Sequence, residues 1–174
     1  MIGEQYISSE DSALLRSAFR GVSGECCLEI GAGNGGNLLE LGERFRLVVG
    51  TDIVRPAASD WRAKGIEFLL ADAASCFRAE KFDLVAFNPP YLRGEVSEDR
   101  AVEGGRSLEV PKAFLREALR TVKRTGKILF LLNDEADIAE FEDICSKKSF
   151  AMTRVATKRA FFEELSVYSA AAVP

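Results

Sequence analysis

Short apolar runs in this chain stop on glycine or on polar residues and are separated by stretches of helical spacing, an alternation that few folds accommodate. The runs at 26–30, 46–51, 66–70, 82–87 and 127–132 have strand length and are predominantly apolar, each with a single charged residue, a pattern consistent with strands covered on both faces. Helical patterns at 9–20, 36–44, 108–123 and 134–147 fall between or after them. The pattern therefore predicts an α/β fold of βα units with a mostly parallel sheet and helices on both faces. Two further strands are expected at 152–156 and 165–170, joined through Lys158-Arg159-Ala160-Phe161-Phe162. The first helix starts at Ser8 or Ser9, with Glu10 and Asp11 in its first turn where they complement the helix dipole. With 174 residues, 47% of them hydrophobic, and no repeat, linker or low-complexity tract, one domain over 1–174 is expected.

The ends of the runs carry the chemistry. After the first comes Glu29-Ile30-Gly31-Ala32-Gly33-Asn34-Gly35-Gly36, then a helix. Glycines at such a place permit a tight turn and let a ligand reach the backbone and the positive end of the helix. Taken alone the signal is weak: Gly31, Gly33 and Gly36 fit a dinucleotide fingerprint, and Asp52 stands where a dehydrogenase keeps its acidic residue. The following strand ends add specificity. Asp52, in Thr51-Asp52-Ile53, is placed to accept from the ribose hydroxyls of an adenosine-containing cofactor. Asp72, in Ala71-Asp72-Ala73, falls where the adenine amine would lie. The fourth run, 82–87, ends in Asn88-Pro89-Pro90-Tyr91. All of these are expected to line one crevice at the carboxyl ends of the strands.

An asparagine and two prolines at the end of a buried strand leave the sheet stiff and extended, because neither proline donates a backbone hydrogen bond and Pro89 biases Asn88 away from helix. What remains is a pair of acceptors. The Asn88 carboxamide oxygen and the Pro89 carbonyl can each take one hydrogen of a planar NH2 group, while Tyr91 packs on its face. The tetrapeptide resembles the signature of methyltransferases that use S-adenosylmethionine to methylate amino groups conjugated to a π-system.

Other chemistries are narrowed by composition. There is no histidine, which removes histidine general-base and nucleophile chemistry within the chain. Cys26, Cys27, Cys76 and Cys145 show no paired metal spacing and read as small residues in a reducing compartment; no metal site is expected. A net charge of −4 provides no overall basic footprint for unaided nucleic-acid binding, and residues 93–106 mix acids with arginines. No run reaches the ~18 apolar residues of a membrane span, and no basic region followed by an apolar stretch opens the chain. A cytoplasmic location is expected.

Over nearly its whole length the chain resembles HemK-like protein glutamine N5-methyltransferases, in the short eukaryotic and archaeal branch that modifies the glutamine of the GGQ motif in class I translation release factors. Gln5-Tyr6-Ile7-Ser8-Ser9-Glu10-Asp11-Ser12-Ala13-Leu14-Leu15 is similar to that branch's Y-x-P-x-E-D-T-x-L-L element, with Ser8 in place of proline. Gly104-Gly105-Arg106 resembles a shortened G-G-x-x-G-R segment, and Lys158-Arg159 with Glu163-Glu164-Leu165-Ser166-Val167 the closing strand pair. The resemblance implies a Rossmann-like class I methyltransferase fold with seven strands in the order 3-2-1-4-5-7-6. It implies S-adenosylmethionine as cofactor and S-adenosylhomocysteine as product. Tyr6, Glu10, Asp11, Glu29, Gly31, Gly33, Asn34, Gly35, Asp52, Ile53, Asp72, Ala73 and Asn88 become candidate cofactor contacts, and Asn88, Pro89 and Tyr91 candidate catalytic residues. It further implies a small zinc-binding activator protein paired at the edge strand Gly65-Ile66-Glu67-Phe68-Leu69-Leu70. Only about a dozen residues separate this strand from each neighbour in sequence, close to the minimum for a βαβ crossover, so its helical cover is expected to be thin. The competing readings are methylation of an adenine or other exocyclic amine in ribosomal or transfer RNA, and a noncatalytic cofactor-binding subunit, which the presence of Asn88 argues against.

Overall fold

The computed structural model describes residues 10–54, 65–90, 108–160 and 163–173, apart from the side chains of Glu10 and Ala160. Its elements are α1 (Glu10–Ser17), β1 (Gly24–Ile30), α2 (Gly36–Leu41), β2 (Phe45–Asp52), β3 (Ile66–Leu70) and β4 (Phe82–Phe87), then α3 (Glu109–Thr121), β5 (Val122–Asn133), α4 (Ile138–Ser146), β6 (Phe150–Ala160) and β7 (Glu163–Ala172). The strands form one sheet in the order β3-β2-β1-β4-β5-β7-β6, as the resemblance implies. The first five pair in parallel, and β7 runs antiparallel to both β5 and β6.

Alternate residues of the central strands point to opposite faces, and each face has its own core. Leu28, Ile30, Val85, Phe87, Ile128 and Phe130 pack with Leu115 of α3 and Phe141 of α4. Cys27, Leu84, Ala86, Leu129 and Leu131 pack on the other side with Leu15 of α1, Phe19 and Leu38 of α2. Phe87 and Phe130 stack with ring centroids 5.1 Å apart. The cysteines are free; Cys27 and Cys145 are buried and Cys76 is exposed.

Several boundaries depart from the sequence expectation, each for a local reason. Helix α2 stops at Leu41 rather than residue 44, because Gly42 already caps its last carbonyls. Helix α4 starts at Ile138 rather than 134, where the Asp137 side chain accepts from the Ala139 N–H. Strand β5 begins at Val122, five residues early, because Glu80 and Lys81 donate backbone bonds to Arg120 and Thr121 and draw the chain from α3 straight onto β4. The β4–β5 register then shifts between the pairs Phe82–Val122 and Leu84–Lys127. Strands β6 and β7 extend well beyond the predicted segments because they pair along their lengths, with an irregularity between Arg154 and Ala156.

Strand β3 is an edge of the sheet. Among the described residues no helix connects it to β4; the segment after it runs through turns. Phe68 packs partly on the α2-side core, whereas Leu69 is 38% and Leu70 63% exposed. No described helix is long and apolar enough to cross a membrane.

The register shift in β5 depends on Gly126. A Cβ there would stand 2.8 Å from the Asp83 carbonyl oxygen and 2.9 Å from that of Phe82, both backbone atoms with little freedom to retreat. Gly126→Ala is expected to destabilise the protein by about 1–3 kcal/mol, measured by chemical denaturation. An unchanged midpoint would show that the bulge relaxes freely.

Candidate active site

The sheet order reverses between β1 and β4, and Ile30 pairs with Phe87 there. Gly31 and Asn88 therefore leave neighbouring strands side by side, in the crevice where open α/β sheets hold ligands.

On the β1 side, Gly31 and Gly33 adopt φ of 69° and 52°, a left-handed backbone that side chains disfavour. The Gly33 N–H donates to Asp52 Oδ2 at 2.9 Å, and the Val54 N–H donates to Asp52 Oδ1 at 3.0 Å. Asp52 thus ties the glycine turn to the end of β2 and remains half-buried, with lone pairs left to accept from a ligand. A Cβ at Gly33 would meet nothing within 4 Å, so the turn opens onto free space. Asn34 Oδ1 accepts from the Gly36 N–H at 3.1 Å and so secures the start of α2, next to the buried N-cap Gly35. Ile53 is 49% exposed beside Asp52. The Ala71 N–H bonds the Asp52 carbonyl at 2.9 Å, which brings exposed Asp72 and buried Ala73 to the same rim; Ala73 has a left-handed φ of 46°.

Glu29 lies beneath this turn, 2% exposed. Its Oε1 accepts from Asn37 Nδ2 at 2.7 Å, Asn37 Oδ1 accepts from Arg16 Nη1 at 3.2 Å, and Glu29 Oε2 has no partner among the described residues. Burial pushes the Glu29 carboxyl up to about 8, with the Asn37 bond and Arg16 pulling down and Asp52 pushing up. A cationic group brought beside this carboxyl would favour its ionised form and lower its pKa. Asn37 and Arg16 were not legible in the sequence; an arginine and an asparagine on two helices carry no local motif.

On the β4 side, Asn88 Nδ2 donates to Asp11 Oδ2 at 3.0 Å. Asp11, at the start of α1 and 2% exposed, also accepts from the Ser12 N–H. The Asn88 amide thus presents its NH2 to the Asp11 side chain. Its oxygen is turned away, and Asn88 Oδ1 is buried with no partner among the described residues. The sequence placed Asp11 with the cofactor; the structure turns its carboxylate to Asn88. Pro89 is buried directly after Asn88. Tyr6 and Tyr91 lie outside the described residues, as does the Glu10 side chain. The described residues hold no cluster of metal-ligating side chains.

A glycine turn after β1, an acidic residue closing β2 and an Asn-Pro-Pro exit from β4, on a seven-stranded sheet in this order, define the Rossmann-like methyltransferase fold. The family described as "Methyltransferase domain" matches residues 28–89, the span that holds these features. A relative from Methanocaldococcus jannaschii, named as a candidate protein N5-glutamine methyltransferase, is 29% identical over 96% of this chain and 91% of its own. A chain of the E. cuniculi Mtq2-Trm112 complex, described as responsible for methylating the translation termination factor eRF1, shares the fold at a TM-score of 0.79 and 23% identity, over 97% of this chain and 98% of its own. A T. thermophilus 16S rRNA N2 G1207 methyltransferase, solved with AdoMet and guanosine, has a TM-score of 0.64 and 20% identity over 95% of this chain and 39% of that one. The Methanocaldococcus relative and the Mtq2-Trm112 structure each cover more than nine-tenths of this chain, so the likeness extends beyond residues 28–89.

The Glu29 carboxyl sets a pH dependence whose sign is definite. Its pKa rises from the ordinary 4.5 to about 8 on folding. Within that window the folded state keeps a proton that the unfolded state has lost, so this group's contribution to stability falls as pH rises. Ligand-free Glu29→Gln protein, neutral throughout, is expected to lose less stability than wild type between about pH 5 and about pH 8. Equal losses in urea titrations would show that Glu29 is ionised in the fold.

Proposed function

We propose that this protein moves a methyl group from S-adenosylmethionine to the side-chain amide nitrogen of a glutamine in a class I translation release factor, leaving S-adenosylhomocysteine. The observation that carries the reading is the Asn88 carboxamide, held through its NH2 by Asp11 with its oxygen buried and unpartnered among the described residues. The relatives supply the substrate class: one is named for glutamine N5-methylation, and the Mtq2-Trm112 complex acts on eRF1.

The residues present fit the cofactor. Glu29 Oε2 is a buried acceptor suited to its ammonium group, the open side of the Gly33 turn leaves room for its tail, and Asp52 keeps lone pairs for the ribose hydroxyls. When bound, S-adenosylmethionine supplies a methyl group already made electrophilic by its sulfonium. An amide nitrogen is a poor nucleophile, so the protein's task is to align it. Asn88 Oδ1 and the Pro89 carbonyl each accept one hydrogen of the glutamine NH2, which fixes the nitrogen's direction and stabilises the positive charge it gains. Tyr91, which lies outside the described residues, keeps the role of covering the amide only as an expectation from the tetrapeptide. The surplus proton leaves to solvent, and no histidine is needed. The reaction belongs to the cytoplasm, where translation termination occurs.

Asn88→Ala is expected to lower turnover by about 100-fold or more with cofactor affinity near wild type. Asp52→Ala is expected to weaken cofactor binding by about 1.5–3 kcal/mol in a folded protein. Methyl transfer from labelled cofactor to release factor, followed by peptide mass spectrometry, and calorimetry on the same preparations check both. Near-normal turnover by Asn88→Ala would sink the mechanism, and label found on RNA in place of glutamine would move the substrate to a base amine.

A small activator protein, zinc-binding by the family resemblance, is proposed to pair along β3. Leu69 and Leu70 lie exposed on this edge. Leu70→Lys is expected to abolish co-purification of the partner with thermal stability retained; Phe68 is a poor test because it packs partly on the core. A wild-type chain that is fully active and monodisperse alone would end the partner proposal.

A further inference from the structure

Asn88 is not the only strand-end asparagine in this arrangement. Asn133 ends β5, the strand beside β4, and is 3% exposed. Its Nδ2 donates to Glu163 Oε2 at 3.4 Å, and its Oδ1 is buried with no partner among the described residues. The pattern repeats that of Asn88 and Asp11: a carboxylate takes the NH2 of the amide and leaves the oxygen free to accept.

Strand alternation places these groups together. Leu84 and Ala86 face the α1 side of the sheet, so Asn88, next in that series, does also. Leu129 and Leu131 face the same side and Asn133 continues them. On β7, Leu165 pairs with Asn133 and shares its face, and Glu163 stands two residues earlier in the same series. Phe87 pairs with Phe130, so Asn133 lies two residues, about 6.6 Å, past the level of Asn88 on a strand about 4.8 Å away. Two orphaned carboxamide oxygens thus stand at one end of the sheet, on the face that Asp11 closes.

We propose that Asn133 and Glu163 form a second acceptor subsite, which binds main-chain N–H groups of the peptide flanking the target glutamine. The proposal rests on the reading that a glutamine-bearing protein is the substrate. Asn133 Oδ1 is the binding atom, and Glu163 is a positioning residue that keeps the amide from turning over. A neutral N–H suits a buried neutral oxygen; a substrate cation would have to be stripped of water at a site where Asp11 and Glu163 already accept from amides. An acceptor beside the reaction centre holds substrate equally before and during methyl transfer, so it acts on binding and not on the chemical step.

The test uses the full-length chain, with its activator if one is required, on a release factor and on synthetic peptides spanning its target glutamine. Asn133→Ala is expected to raise KM about tenfold with kcat within about threefold of wild type, and with cofactor affinity and thermal midpoint unchanged. Glu163→Ala is expected to do the same in part, while Glu163→Gln, whose Oε1 still accepts from Asn133, stays near wild type. A peptide N-methylated at the contacted flanking amide is expected to lose affinity with wild type and nothing further with Asn133→Ala. An unchanged KM in Asn133→Ala, with or without a lower midpoint, overturns the subsite. A Glu163→Gln defect as large as that of Glu163→Ala overturns the positioning role in favour of a substrate cation. If wild type places no methyl on any glutamine, the substrate reading fails and the subsite with it; an active wild type with an indifferent Asn133→Ala removes the subsite alone.

Discussion

Strand β1 lies between β2 and β4, and the side-by-side exit of β1 and β4 constrains everything around the crevice. Both strands are interior and covered on both faces, so neither can end gradually; the chain has to leave the sheet at a defined residue with its backbone groups accounted for. On β1 the solution is a glycine turn whose Gly33 N–H reaches Asp52, and on β4 it is an asparagine followed by prolines that ask for no backbone partner. Because Ile30 pairs with Phe87, these two solutions stand next to each other.

The short helix α1 holds the two halves in relation. At eight residues it is below the length at which a helix is stable alone, and its position comes from Leu15 and the following Phe19, both fully buried on one face of the sheet. From that seat Asp11 reaches Asn88 on β4, while Arg16 reaches Asn37, which in turn bonds Glu29 on β1. The orientation of the Asn88 amide and the electrostatic setting of Glu29 therefore both depend on the packing of one helix. A carboxyl buried without full hydrogen bonding is costly; here it is retained at the point where a cationic ligand would relieve it.

The two edges of the sheet are treated differently. Strand β6 carries Arg154, Lys158 and Arg159 and a register irregularity, features that discourage another strand from pairing. Strand β3 is five residues long and ends in exposed Leu69 and Leu70. Among the described residues the β3 edge is thus apolar at its end and the β6 edge charged.

The strand positions, the parallel βα character and the polar residues closing β1, β2, β3 and β4 were all legible in the sequence, because burial of both strand faces writes continuous apolar runs and tight exits demand glycine, proline or asparagine. Strands β3 and β4 match their predicted bounds, while β5, β6 and the helix ends do not, since backbone bonds from Glu80 and Lys81, the Asp137 cap and the pairing of β6 with β7 set those limits. What the sequence determined by itself was which residues stand at the crevice. Only the tertiary structure decided what each does there: Asp11 holds Asn88 from a position 77 residues away, Asn37 bonds Glu29 and is itself held by Arg16 of another helix, and Asn133 pairs with Glu163 of β7. Hydrogen bonds between side chains distant in sequence leave no periodicity or spacing to read, because they exist only once the strands and α1 have packed.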